Sequence, residues 1–186
     1  MGRYYRVLAD PKSSTRWFLK SPIKPDGREI DPRLFTCGKP YGVETQLNLP
    51  LRRPGIPYIF NFCDFDMVVV SKHLNEELEQ IVGSAIQRIP ILVEGTNELF
   101  EILNVVDSIP SIDQERSEYL IWQEKDGRPE KVGQYRMFTK FIVDKAKVSG
   151  HKIFRPTEWP ISLIVDDDIK MVIEQYGKAG VVFDLV

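Results

Sequence analysis

The sequence predicts an α+β fold with many short, mainly antiparallel strands and two main helices. Three observations carry this expectation. Pro11, Pro22, Pro25, Pro32, Pro40, Pro50, Pro54 and Pro57 crowd the first third of the chain. Each fixes φ and removes a backbone donor, so that third must be built from short strands and loops. Two stretches, about 71–83 and 166–177, carry apolar residues at convincing helical spacing. Regular alternation of strands and helices is missing, which argues against a doubly wound parallel sheet.

The elements follow in order. Residues 4–9 are rich in aromatic and β-branched side chains and form the first strand. The runs 17–20, 34–37, 45–49 and 58–62 have the same character and are bounded by Gly, Pro and Asp. A strand at 66–70 leads into Ser71, whose hydroxyl suits a helix N-cap. Leu74, Leu78, Ile81 and Val82 then make an apolar stripe, with Glu76, Glu77 and Glu79 on the wet side. Gly83 is placed to end that helix.

Residues 86–93 form a strand, Gly95-Thr96-Asn97 a turn, and 99–106 the returning strand. A connection over 107–115 leads to a strand at 119–123. Lys125-Asp126-Gly127-Arg128 signals a hairpin, because Asp-Gly tolerates the positive φ of a type I′ turn. Residues 137–144 are expected to be a strand buried on both faces. Short strands at 152–154 and 161–165 follow. Asp166 is the N-cap of the second helix, and Asp167 and Asp168 fall where the helix dipole favours carboxylates. Ile169, Val172, Ile173 and Tyr176 are its stripe and Gly177 its C′ residue. Gly180 turns the chain into a last strand at 181–186. No internal repeat is visible. One domain over 1–186 is expected, since a chain of this size buries roughly 70% of its unfolded surface without a metal or disulfide.

Composition excludes several functions. The 25 Lys+Arg balance 27 Asp+Glu, for a net charge of -2. A dedicated nucleic-acid binder would carry a basic footprint that this chain lacks. At 42% hydrophobic and 28% charged, the chain is globular rather than disordered. No apolar run approaches the roughly 18–20 residues that span a bilayer. The N-terminus has no secretory h-region, and Arg6 stands where myristoylation calls for Ser or Thr. A cytoplasmic protein is expected, with Cys37 and Cys63 as free thiols.

The search for chemistry yields little. His73 and His151 are far apart in sequence, and each suits a surface or capping role better than catalysis. Cys63 would need one of them nearby to act as a nucleophile, and a buried thiol is the simpler reading. Asp64, Asp66, Asp107 and Asp113 invite a carboxylate metal site, but no EF-hand spacing is present. Capping explains the Asp166–Asp168 run without a ligand. Phosphate loops and the G-x-S-x-G elbow are absent. The expectation is therefore a binding protein with no cofactor and no metal. Arg52 and Arg53, before Pro54-Gly55, read as a solvated loop that could also contact a partner. Alternatives are a small hydrolase or transferase built from scattered carboxylates, and a homo-oligomer pairing through the 181–186 edge.

Several segments, taken in order, resemble a known family. They are Tyr4-Tyr5-Arg6-Val7-Leu8, Asp64-Phe65-Asp66-Met67-Val68-Val69-Val70-Ser71, and Ile89-Pro90-Ile91-Leu92-Val93. Ile153-Phe154-Arg155, Ile164-Val165-Asp166 and Gly180-Val181-Val182-Phe183 complete the set. Together they resemble immunity family eleven of bacterial polymorphic toxin systems. The resemblance implies a small cytoplasmic protein that binds a cognate toxin stoichiometrically and needs no cofactor. Glu76, Glu77 and Glu79 would then suit a basic toxin cleft, although a solvated helix face explains them too. Arg155 fits the family's ending, as a contact or as half of a structural ion pair.

Overall fold

Two five-stranded sheets organise the chain, as seen in a computed structural model that describes residues 2–186. In chain order the strands begin with β1 (Tyr4–Ala9), β2 (Phe18–Leu19), β3 (Leu47–Leu49), β4 (Leu51–Arg53), β5 (Phe60–Phe62) and β6 (Val68–Ser71). Helix α1 (Lys72–Val82) leads to β7 (Ile86–Val93), β8 (Phe100–Val105) and β9 (Ser108–Ile109). Then come β10 (Glu118–Ile121), β11 (Tyr135–Lys140), β12 (Ile153–Pro156), β13 (Leu163–Asp166), α2 (Asp167–Glu174) and β14 (Val181–Leu185). One sheet has the order β3-β7-β8-β6-β5 and the other β14-β1-β13-β12-β9. Pairing is antiparallel except for β3 with β7 and β9 with β12. The expected α+β fold with two helices is what forms.

Period-two burial assigns each strand's side chains to two different cores. Tyr5, Val7, Leu163 and Val165 face a central core shared with Val68, Val70, Leu103 and Val105 of the other sheet. Leu74 and Leu78 of α1 and Ile169 and Ile173 of α2 complete it. The alternate residues Met67, Val69, Phe100 and Ile102 face a second core, covered by Trp17, Leu19, Ile30 and Phe35. Tyr4, Phe154 and Ile164 face a third, covered by Ile109, Ile112, Phe141, Val143 and Val148. Such a side chain, fully buried, contributes about 1.5–3 kcal/mol, so both sheets are stabilised on both faces.

The topology repeats although the sequence does not. In one sheet β6 runs through Ser71 into α1 and returns as β7, with β8 antiparallel between the two strands. In the other, β13 runs through Asp166 into α2 and returns as β14, with β1 antiparallel between them. The inserted strand follows its unit in the first case and opens the chain in the second. That permutation hides the correspondence from a linear reading.

Both helix starts form as expected. The Ser71 hydroxyl accepts the Leu74 amide at 3.3 Å, and the Asp166 carboxylate accepts the Ile169 amide at 3.0 Å. Gly83 ends α1 with φ +53, a conformation that costs other residues more. The second helix is capped earlier than expected, by Gln175, with Gly177 two residues beyond in the left-handed region.

Four local expectations are corrected. Residues 34–37 do not form a strand. Pro32–Phe35 is a one-turn 3-10 helix, because Asp31 caps the Arg33 amide and Pro32 suits a first helical position. The loop expected at Arg52-Arg53 is strand β4, paired with β2. Asp126-Gly127 does not make a two-residue turn. Gly127 has φ +68, but Asp126 does not enter the positive region, and two 3-10 turns lie between β10 and β11. Finally, β11 is not buried on both faces. Tyr135 and Phe138 pack inward while Met137 is 46% exposed, because no second layer covers the outer face of the β10–β11 pair.

If Asp166 holds the first turn of α2, Asp166→Ala should lower stability by about 1 kcal/mol in urea unfolding. An unchanged midpoint would show that α2 starts without it.

Candidate functional site

The connection from β5 to β6 is a single 3-10 turn, Asp64–Asp66, bent in an unusual way. Phe65 and Asp66 have φ 54 and 57, and among the described residues no other non-glycine has positive φ. Each such residue costs about 1–2 kcal/mol unless its surroundings compel it. Here they do. The Arg52 guanidinium donates to both carboxylate oxygens of Asp64 at 2.8 Å, and the Ser21 hydroxyl donates to one of them at 3.3 Å. On the inner side Arg155 donates to the Asp66 carbonyl at 3.3 Å.

Arg155 is completely buried. Its guanidinium also donates to the Pro160 carbonyl at 2.7 Å, while its own amide donates to the Asp107 carbonyl at 2.9 Å. It therefore joins the loop entering β13 to the turn entering β6. Burial lowers its pKa to about 10, partly offset by the nearby Asp66 charge. Backbone carbonyls, rather than an ion pair, receive its hydrogen bonds.

The turn presents Phe65 to solvent, 54% exposed. The Arg33 guanidinium lies over its ring at 4.8 Å. On the β2–β4 ribbon, Arg53 covers the ring of Phe18, itself 41% exposed, at 4.1 Å. Two arginine-capped rings are thus exposed, Phe65 under Arg33 and Phe18 under Arg53, and Arg52 holds the turn that carries the first. Of the sequence candidates, Arg52 pins the turn through Asp64, while Arg53 stacks on Phe18. Phe65 and Phe18 carried no sequence signal beyond being aromatic, since an exposed ring and a core ring look alike in one dimension.

The three glutamates divide between two sets of partners. Glu76 and Glu79 both reach Arg88, at 3.3 and 2.9 Å. Arg88 also donates twice to the buried Glu101, at 2.7 and 2.8 Å, which raises the guanidinium pKa. Glu77 turns toward the second helix, accepting from Gln175 at 2.7 Å and lying 3.4 Å from His73. Their spacing within about one helical turn suggested one acidic face, but Arg88 and Gln175, remote in sequence, pair with or occupy most of it.

Other titratable groups are dispersed. His151 meets Asp107 at 2.6 Å in a cleft of about 450 Å³ that Ser84 also lines. That pair can orient a ring and hold a proton, yet the Ser84 hydroxyl makes no hydrogen bond to it. Asp64, Asp107 and Asp113 each have a different basic partner, in Arg52, His151 and Arg116. Among the described residues no three His, Cys, Asp or Glu side chains converge in a way that would hold a metal ion. Asp167 caps the N-terminal strand instead, accepting from the Arg3 amide and the Tyr5 hydroxyl. Cys63 packs against the second core, and burial pushes its thiol pKa well up, with Asp64 adding to the shift. Among the described residues no helix is long and apolar enough to cross a membrane.

Two tests follow. Arg155→Met leaves carbonyls of two segments, the loop entering β13 and the 64–66 turn, without their donor and should cost about 3 kcal/mol or more in urea unfolding. A loss below about 1 kcal/mol would mean the clamp contributes little. At pH 8, iodoacetamide should label the exposed Cys37 and leave Cys63 unmodified in the folded protein, as read by mass spectrometry. Equal labelling would contradict the raised thiol pKa.

A comparison with family models matches residues 53–186 to one described as Immunity protein family (Imm11). The matched stretch includes the 64–71 turn and strand, both helices and the final strand. It begins at Arg53, so the Tyr4–Leu8 segment that entered the sequence resemblance lies outside it. No curated protein matches the chain. With the greater part of its length matched, the chain belongs to the Imm11 immunity protein family.

Proposed function

We propose that this chain neutralises a cognate toxin protein by stoichiometric binding, acting as one binding domain without a cofactor. Family membership supports the immunity role. The observation that carries the binding mode is Phe65, held exposed on a strained turn, with Arg33 over its ring and Arg52 on the neighbouring Asp64. Exposed aromatics and arginines are the residue types that dominate binding energy in interfaces, and a rigid presentation reduces the entropy lost on association. Strain maintained at a surface turn, at a cost to folding, is most readily explained by a task there. Arg52 and Arg33 are already paired with Asp64 and Asp31, and Arg53, which has no ion pair among the described residues, favours a carboxylate on the toxin. The reading carries with it a cytoplasmic site of action, where two free thiols are stable.

The test is co-expression with the C-terminal domain of a large multidomain protein encoded beside this gene. Growth should be restored and the two chains should co-purify at equal stoichiometry. Phe65→Ala should weaken the complex by roughly 30-fold or more, as removal of a central anchor does. The absence of both rescue and co-purification would overturn the immunity reading. Rescue with an unaffected Phe65→Ala variant would move the interface elsewhere.

A further inference from the structure

We propose that the groove beside the 64–66 turn is an acceptor for one basic side chain, an arginine or lysine, of the bound partner protein. The inference rests on the partner-binding reading and goes beyond it, because it assigns a second contact of opposite charge. The groove has a volume of about 300 Å³ and lies between the β10–β11 ribbon, the end of β1 and the loop entering β13. Phe62, Phe138 and Trp159 line it, the last two with ring centroids 5.4 Å apart. Among the described residues Asp66 is the one acidic side chain lining it.

That carboxylate has no hydrogen bond and no ion pair among the described residues, although it is half-buried. Arg6 and Arg136 line the same groove, but both are engaged elsewhere. Arg6 pairs with Asp184 at 2.8 Å and lies over Phe141, and Arg136 pairs with Asp126 at 2.8 Å and lies over Trp122. Arg155 is closest behind the turn, but it donates to backbone carbonyls, including that of Asp66 itself. Its charge attracts Asp66, yet burial outweighs it, and the Asp66 carboxyl stays above the usual carboxylate range. A half-desolvated carboxylate without a donor among the described residues, in a groove also lined by aromatic rings, is complementary to a cation that can donate and stack at once. Guanidinium and alkylammonium groups do both. The left-handed backbone at Asp66 aims the residue there and is sustained by the Arg155 clamp.

The test uses the full chain, labelled with ¹⁵N, and needs no toxin. Methylguanidinium and n-butylammonium are titrated against the neutral isostere methylurea, with the indole signals of Trp17 and Trp122 as internal controls. The two cations should shift the Trp159 indole and the Asp66 amide saturably, and methylurea should not. Asp66→Asn should weaken the cation response by at least about tenfold. Asn tolerates the left-handed region as well as Asp, so this variant keeps the turn, and an unchanged Tm checks that it does. Equal shifts with methylurea, no saturable shift at Trp159, or unchanged cation binding by Asp66→Asn would each overturn the proposal. In a second arm, Asp66→Asn should weaken the complex with the co-expressed toxin domain by roughly 30-fold or more. Unchanged affinity there would leave partner binding intact and remove the groove from it. A groove that takes the cations in a chain that captures no toxin would instead overturn the immunity reading alone.

Discussion

A single guanidinium, sealed between the two sheets, sets the arrangement on which the rest depends. Arg155 stands on β12 and donates to carbonyls of the loop entering β13 and of the turn entering β6. Those two strands lead into the two helices, so one side chain ties the starts of both repeated units together. Burying a charge is expensive, and the lowered pKa of about 10 records part of that cost. The return is directional. Hydrophobic contact between the sheets is indifferent to small slides, whereas a planar fork bonded to fixed carbonyls permits one relative position.

The same clamp explains the surface. Asp66 can hold its left-handed backbone because Arg155 fixes its carbonyl from inside while Arg52 fixes Asp64 from outside. Between those two anchors, Phe65 has nowhere to go except outward. Core order and the exposed aromatic are therefore linked: the arginine that aligns the sheets also shapes the turn. The acidic side of α1 behaves differently. Arg88 gathers Glu76, Glu79 and Glu101 into one network, with Lys72 also on Glu76, which offsets part of the negative charge and leaves that face a weaker attractant for a basic partner than its composition suggests.

Much of the fold was legible because it depends on local pattern. The limits of β1 and β7 coincide with the runs expected from alternation and β-branching. Ser71 and Asp166 cap as their positions implied, since a cap bonds an amide only three residues away. The misreadings share the opposite cause. Arg52-Arg53 became a strand because Phe18 and Leu19 pair with it, and the 34–37 run yielded to a cap at Asp31. The outer face of β11 stayed open because no element arrives to cover it, a fact of tertiary layout and not of composition.

The sequence by itself determined the class of fold, the two helices with their caps, and a family resemblance strong enough to survive comparison over residues 53–186. These are properties of neighbours in the chain, where alternation, capping and turn residues act over a few positions. Tertiary structure alone decided which charges are free. Arg88 neutralises glutamates on another element, Arg155 serves carbonyls 5 and 89 residues away, and Asp66 is left without a donor. An ionisable side chain reaches several ångströms in any direction, so its partner is set by packing and cannot be read from its place in the line.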